Sequence, residues 1–228
     1  MVWQYVVVAV ASYLMGAIPN GWLVGKLTRG IDIREYGSGA TGTANVLRSL
    51  GLRPALLVLL ADVLKAYVAV LATWYIFEPY EGANTAHNLQ AVAGVAAIIG
   101  HDWPAYLGFK GGKGVAATYG SFAAMLFFPL TVPGLLAVAV AIVLTFRYMS
   151  LMSVITVLMG GAAFLGLALA GVVPYAFAIF GGIASALVLF QHRENIRRLL
   201  AGTEPKIGEG GRRRLQGPAQ RLWPFHKM

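Results

Sequence analysis

Apolar stretches dominate the chain and recur at lengths that a lipid bilayer would set. They run over 4 to 25, 54 to 77, 88 to 107, 115 to 129, 133 to 147, 150 to 171 and 174 to 191, with short polar segments between them. A hydrocarbon core of ~30 Å takes about 20 residues of helix per crossing. The pattern therefore predicts an all-α integral membrane protein of about seven transmembrane helices, some short or broken. The fourth and fifth stretches are short and meet at Pro129 and Pro133, which fits half-length helices or one hairpin. Residues 1 to 206 read as a single polytopic domain and 207 to 228 as a basic, flexible tail.

Composition agrees: 58% of residues are hydrophobic, 12% are charged, and the mean hydropathy is +0.68. These values lie outside the soluble globular range. A chain of 228 residues so constituted leaves no room for a separate soluble domain. Met1 to Leu23 lacks a basic beginning and runs straight into Lys26, so a retained first helix is expected and not a cleaved signal. The absence of cysteine excludes disulfides, thiolate metal sites and cysteine nucleophiles.

Lys and Arg are retained on the cytoplasmic side of a membrane. With the N-terminus outside and the C-terminus cytoplasmic, the inner segments hold every Lys and Arg of the 18 except Lys65. The outer turns hold Glu78 and Glu81, at the head of a stretch that also contains His87. The net charge of +9 is thus explained by topology, and no nucleic-acid partner is expected. Tail residues Arg212 to Arg214 and Arg221 to Lys227 suit anionic headgroups or disorder.

Three polar clusters interrupt the apolar pattern, all on the cytoplasmic face in this topology: GSGATGTANVLR at 37 to 48, FKGGKGV at 109 to 115, and HRENIRRLLAGTEPK at 192 to 206. Each joins backbone N–H groups or a helix start to fixed positive charge, which is what binding a phosphate requires. In the first, Gly37, Gly39 and Gly42 permit positive φ and close approach. Ser38, Thr41 and Thr43 supply hydroxyls, and Asn45 and Arg48 follow at helical spacing, before the helix that Pro54 opens. A plain flexible loop would use the same glycines; it would not call for Arg48.

In the second cluster, His101 and Pro104 end the third span, and Lys110, Gly111, Gly112, Lys113 and Gly114 lead into the fourth. A loop feeding a helix N-terminus attracts anions, although a charged turn obeying topology would look similar. The string is not a Walker A motif, so ATP binding is not implied. In the third cluster, His192, Asn195 and Leu199 share one side of a helix, with Arg193, Arg197 and Arg198 spread around it. Glu204 follows Gly202 in a helix cap and turn. A basic anchoring helix explains the arginines but not His192 and Asn195.

Asp62 and Lys65 stand inside the second span, Lys65 about 17 Å along the helix from Pro54. Intramembrane ions are candidates for function, yet a pair three residues apart can also neutralise itself and hold helices together. Gly160, Gly161, Gly181 and Gly182 read as helix-packing surfaces. No metal site and no cofactor is expected.

Taken in order, SYLMGAIPNGWL, GSGATGTANVLR, ADVLKAY, GHDWPAYLGFKGGKGVAATYG and HRENIRRLLAGTEPK resemble the bacterial membrane acyl-phosphate:glycerol-3-phosphate acyltransferases over nearly the whole chain. The resemblance implies acyl transfer from acyl phosphate to the 1-hydroxyl of glycerol 3-phosphate. The products would be lysophosphatidic acid and inorganic phosphate, at the cytoplasmic face of the inner membrane, in phospholipid synthesis. Membrane lipid is the expected surrounding and a monomer the expected state.

Carried over by position, Ser38, Arg48, Lys113, His192 and Asn195 are the implied catalytic residues. Gly37, Gly39, Thr41, Gly42, Thr43, Asn45, His101, Lys110, Gly111, Gly112, Gly114, Arg193 and Glu204 are the implied substrate- or phosphate-binding residues, the run from Gly111 to Gly114 facing acyl phosphate. Where the family reads G-S-G-N and G-A-T-N, this chain has Ala40 and Gly42-Thr43-Ala44-Asn45. An amide is lost and a hydroxyl moves by one place, leaving Thr41 or Thr43 as substitutes.

An activated mixed anhydride needs positioning more than a protein nucleophile, and positioning supplies about 7 to 11 kcal/mol. The glycerol proton could go to His192 or to the donor's own phosphate; the second fits better, with His192 and Asn195 positioning substrate. Acyltransferases with soluble donors carry His followed five residues later by Asp. Here Val92, Tyr106 and Arg197 follow His87, His101 and His192 at that spacing. An organic-phosphate transporter and a noncatalytic lipid-binding scaffold also fit a basic membrane protein. The first would place polar sites near the midplane in repeated halves, and the second leaves the glycine clusters unexplained.

Overall fold

The computed structural model describes residues 2–126 and 131–209. Pro129 and the arginine-rich end of the tail lie outside that range. Among the described residues the elements are helical, in the order α1 (Val2–Gly16), α2 (Asn20–Arg29), α3 (Thr43–Leu50), α4 (Leu52–Asp102), α5 (Val115–Met125), α6 (Thr131–Phe146), α7 (Met149–Leu169), α8 (Tyr175–Gln191) and α9 (Arg193–Leu200). Short 3-10 turns occupy Ile33–Glu35 and Ala105–Leu107.

By length and apolarity, three helical stretches among the described residues can cross a membrane: Val2–Arg29, Leu52–Leu107 and Met149–Leu169. Tyr175–Gln191 with Arg193–Leu200, bent by 62°, makes a fourth if taken as one span. The expected second and third spans are two helices that follow one another in one run, α4, without a loop between them. Gly82 interrupts that run at φ 75°, ψ 164°, three residues after Pro79. Only glycine adopts such a conformation without strain, so the run reverses at one residue, and the charges of Glu78 and Glu81 sit on helix, not in a turn. Asp62 and His101 prove the reversal: 39 positions along a straight helix would span about 58 Å, yet their side chains approach to 3.5 Å.

The two arms of α4, 52–81 and 83–102, form the centre of the bundle. Small residues allow backbones to meet there. A Cβ on Gly16 would fall 2.2 Å from the Ala97 carbonyl oxygen, and one on Gly120 would fall 2.1 Å from that of Val63. These two contacts lay α1 on the second arm and α5 on the first. Gly161 and Gly181 let α7 and α8 meet, since a Cβ on Gly181 would fall 3.0 Å from the Gly161 Cα, and Gly160 accommodates Phe122. Gly182 does not pack: nothing lies within 4 Å of its Cβ direction. Phe122, Phe164, Phe177 and Phe180 fill the space between α5, α7 and α8, with Phe122 and Phe180 edge to face at 5.7 Å.

Two further boundaries differ from the pattern reading. The first span bends at Ala17 to Pro19, making α2 a separate amphipathic helix. Helix α4 opens at Leu52 and takes Pro54 into its first turn, where proline's missing N–H costs nothing.

Candidate active site

One end of the bundle gathers the loop before α3, the loop between α4 and α5, the starts of α7 and α9, and the chain after α9. Each cluster is shaped by its own local bonds before it meets the others.

Asn45 spools the first loop. Its side chain is 1% exposed; Nδ2 donates to the carbonyls of Ile33, Tyr36 and Ala40 at 3.1, 3.0 and 2.8 Å, and Oδ1 accepts from the Ser38 amide at 2.9 Å. Asn45 therefore shapes the loop from behind. Gly37 and Gly39 take φ of 51° and 78°, which puts the exposed Ser38 at the tip. Gly42 caps α3, and the hydroxyl of Thr43 and Nε of Arg48 are buried without a hydrogen-bond partner among the described residues. Thr41, buried, donates its amide to Gly111 at 3.1 Å and so ties the first loop to the second.

The second loop lies flat on the end of α4. The amides of Gly111 and Gly112 donate to the carbonyls of Asp102 and His101 at 3.2 and 2.9 Å. No side chain fits there: a Cβ on Gly112 would stand 1.9 Å from Nε2 of His101, and one on Gly111 2.3 Å from the His101 carbonyl oxygen. His101 thus backs the loop from inside the protein, 5% exposed. Gly114 caps α5 at φ 73°. Lys110 points to solvent, whereas Lys113 turns inward and its Nζ donates to Oδ1 of Asn195.

The third cluster is not one helix. His192 is the joint at which α8 ends and α9 begins, at a bend of 62°, so it caps the helix that carries Asn195 and Leu199. His192 Nδ1 donates to the Val188 carbonyl at 2.9 Å, which leaves Nε2 with its lone pair. Burial, then the charge of Lys113, push His192 down to about 4, so the ring is neutral at physiological pH. Gly202, at φ 68°, reverses the chain after α9 and brings Glu204 back under it. The Glu204 carboxylate accepts from Asn195 at 2.7 Å and Ser150 at 2.8 Å on one oxygen, and from Arg198 at 2.8 Å on the other. Burial alone would raise its pKa; these three bonds outweigh burial and hold it below the usual carboxylate range. Arg193 lies outside this group, its guanidinium 4.3 Å from the Phe190 ring and bonded to the Phe190 carbonyl.

Arg48 closes the circle by reaching the Pro205 carbonyl at 3.4 Å. Burial pushes its pKa down, and Arg198 adds to that push against the pull of Glu204. Lys113 is held at about 8, first by burial and then by Arg198, with Arg48 and Arg193 adding to it and Glu204 opposing. Three mutually repelling cations around one carboxylate leave an excess of positive charge, the condition for taking up an anion. Among the described residues no group of His, Asp and Glu could hold a metal ion. Sequence reasoning missed Ser150, whose hydroxyl opens α7, and Gln191, whose Nε2 lies 3.4 Å from the Gly112 carbonyl. Their only signal was a polar residue at the boundary of an apolar run.

A family model described as glycerol-3-phosphate acyltransferase matches residues 6–202. The glycerol-3-phosphate acyltransferase of Parasynechococcus marenigrum is 42% identical over 201 residues, 87% of each chain. That of Alkaliphilus metalliredigens is 39% identical over 203 residues, 88% of this chain and 95% of the relative. Two crystal structures of PlsY, described as an integral membrane glycerol 3-phosphate acyltransferase, are similar at 34% identity. The glycerol 3-phosphate form has a TM-score of 0.78, covering 90% of this chain and 96% of that one. The lysophosphatidic acid form has 0.75, covering 89% and 94%.

Proposed function

The chain belongs to the glycerol-3-phosphate acyltransferase family, and from that premise we propose that it transfers a fatty acyl group from acyl phosphate to the 1-hydroxyl of glycerol 3-phosphate. The observation that carries this reading is the meeting of Arg48, Lys113 and Asn195, one from each cluster: Lys113 donates to Asn195, Asn195 to Glu204, and Arg48 to the carbonyl of the adjoining Pro205. Both substrates are phosphate anions. A site with surplus cations, next to apolar helix faces that lie in lipid, suits their headgroups and the acyl chain together.

In the proposed step the glycerol oxygen attacks the acyl carbonyl carbon. The carbonyl C–O bond to phosphate breaks, inorganic phosphate leaves, and the hydroxyl proton passes to a phosphate oxygen. Arg48 and Lys113 hold the phosphates, each contributing about 1.5 to 3 kcal/mol. Ser38 and the amides of Lys113 and Gly114 complete the cradle, the amides of Gly111 and Gly112 being taken by the carbonyls of Asp102 and His101. His192, with Nδ1 engaged by Val188 and a pKa of about 4, is a weak base, which supports a positioning role for it and Asn195. Asn45, Thr41 and Glu204 act by holding these groups in place.

Seven crossings, an outer N-terminus and a cytoplasmic site in a bacterial inner membrane complete the proposal, with 1 to 206 as one monomeric domain. The reversal of α4 at Gly82 and the collection of Lys and Arg at the site's end support it. The test is a donor panel: purified protein with labelled glycerol 3-phosphate and acyl phosphate, acyl-CoA or acyl carrier protein. Lysophosphatidic acid should form from acyl phosphate alone, with one inorganic phosphate released per product. Product from a thioester and none from acyl phosphate would overturn the donor assignment.

A further inference from the structure

The intramembrane pair Asp62 and Lys65 is unused by the proposed step, although both are buried, at 1% and 7% exposure. One oxygen of Asp62, Oδ1, faces three donors: Lys65 Nζ at 2.8 Å, Asn20 Nδ2 at 3.0 Å and His101 Nδ1 at 3.5 Å. Lys65 also donates to the Ile18 carbonyl at 2.9 Å. This cluster fastens the bend between α1 and α2 to both arms of α4.

Lys65 and Asn20 tie the bend to the first arm, and His101 brings in the second. The histidine also reaches the loop. With Nδ1 toward Asp62, His101 presents Nε2 to Gly112 so closely that no Cβ fits, and its carbonyl receives the Gly112 amide at 2.9 Å. Gly111 in turn receives the Thr41 amide. A continuous line of contact therefore runs from Asp62 through His101 to the loop that carries Lys113.

We propose that Asp62 is a positioning residue: acting through His101, it sets the seat of the loop from Gly111 to Lys113 and hence the loop's hold on the anionic donor. The kinetic side of this inference rests on the acyl phosphate reading; the loop geometry does not.

The test compares Asp62→Asn, His101→Gln and the double variant in purified full-length protein. In each, amide hydrogen exchange at Gly111 and Gly112 should rise about tenfold while α7 and α8 exchange as in wild type. The KM for acyl phosphate should rise about tenfold, with kcat within about threefold. Because Asp62 acts through His101, the double variant should be no worse than either single one. Unchanged loop exchange, acceleration spread evenly over all helices, or additive effects would each overturn the proposal. If Asp62→Asn does not fold, His101→Gln alone decides through the same loop exchange. If wild type makes nothing from acyl phosphate, the donor reading fails while the exchange measurement still decides the link.

Discussion

Lys113 and Asn195 lie 82 positions apart and meet side chain to side chain, Nζ donating to Oδ1. The other end of the same amide donates to Glu204. Asn195 therefore stands between a cation and a carboxylate that would otherwise pair, and keeps the lysine charge available to a substrate. Asn195→Asp should put a carboxylate on Lys113 and raise the KM for anionic substrates by at least about tenfold, more than Asn195→Ala does. Steady-state kinetics on both variants checks this. Equal effects would show that the neutrality of the amide is irrelevant.

The alkaline limb belongs to Lys113. Its pKa of about 8, against 10.5 when unfolded, means the charge is lost as pH rises through 8. Substrate KM should climb above that point, and Lys113→Arg, though less active at neutral pH, should show no such climb because arginine stays charged. The stability sign is opposite. Between about 8 and 10.5 the unfolded chain binds more protons, so the fold gains stability as pH rises. Rate–pH and unfolding–pH profiles should therefore diverge in that window.

Glu204 carries structural weight through three donors. Glu204→Ala strands the Asn195 amide, the Ser150 hydroxyl and the Arg198 guanidinium, at a cost of about 3 kcal/mol. Glu204→Gln keeps the shape and should lose less. Thermal unfolding in detergent should rank wild type above Gln and Gln above Ala, with activity following the same order.

Glycine substitutions should divide sharply. Gly112→Ala drives a methyl group into His101 Nε2, at 1.9 Å, and should lower kcat/KM at least about tenfold. Gly182→Ala meets nothing within 4 Å and should be neutral in both activity and unfolding temperature. Loss of activity in Gly182→Ala would place that face against an unseen partner.

Much of this was legible in the chain because lipid makes polarity conspicuous. Apolar runs end where polar residues begin, so α7 and α8 fall within two residues of the stretches that predict them. The clusters stood out for the same reason, and the family resemblance named their polar residues. What escaped was direction and contact across the chain. Periodicity reports burial in lipid, not that one glycine, Gly82, reverses a helix without a loop. It cannot tell that His192 is a joint, that Asn45 faces back into its own loop, or that Gly182 faces open space while Gly181 packs. The Asp62 and Lys65 pair was visible as an anomaly in an apolar run, but its third member, His101, belongs to the other arm of α4.

The most direct test of the site is a crystal structure with glycerol 3-phosphate bound. The account predicts its phosphate between Arg48 and Lys113, with Lys113 Nζ released from Asn195 and the 1-hydroxyl turned toward the loop from Gly111 to Gly114. A phosphate bound elsewhere, with the contact between Lys113 and Asn195 intact, would contradict it.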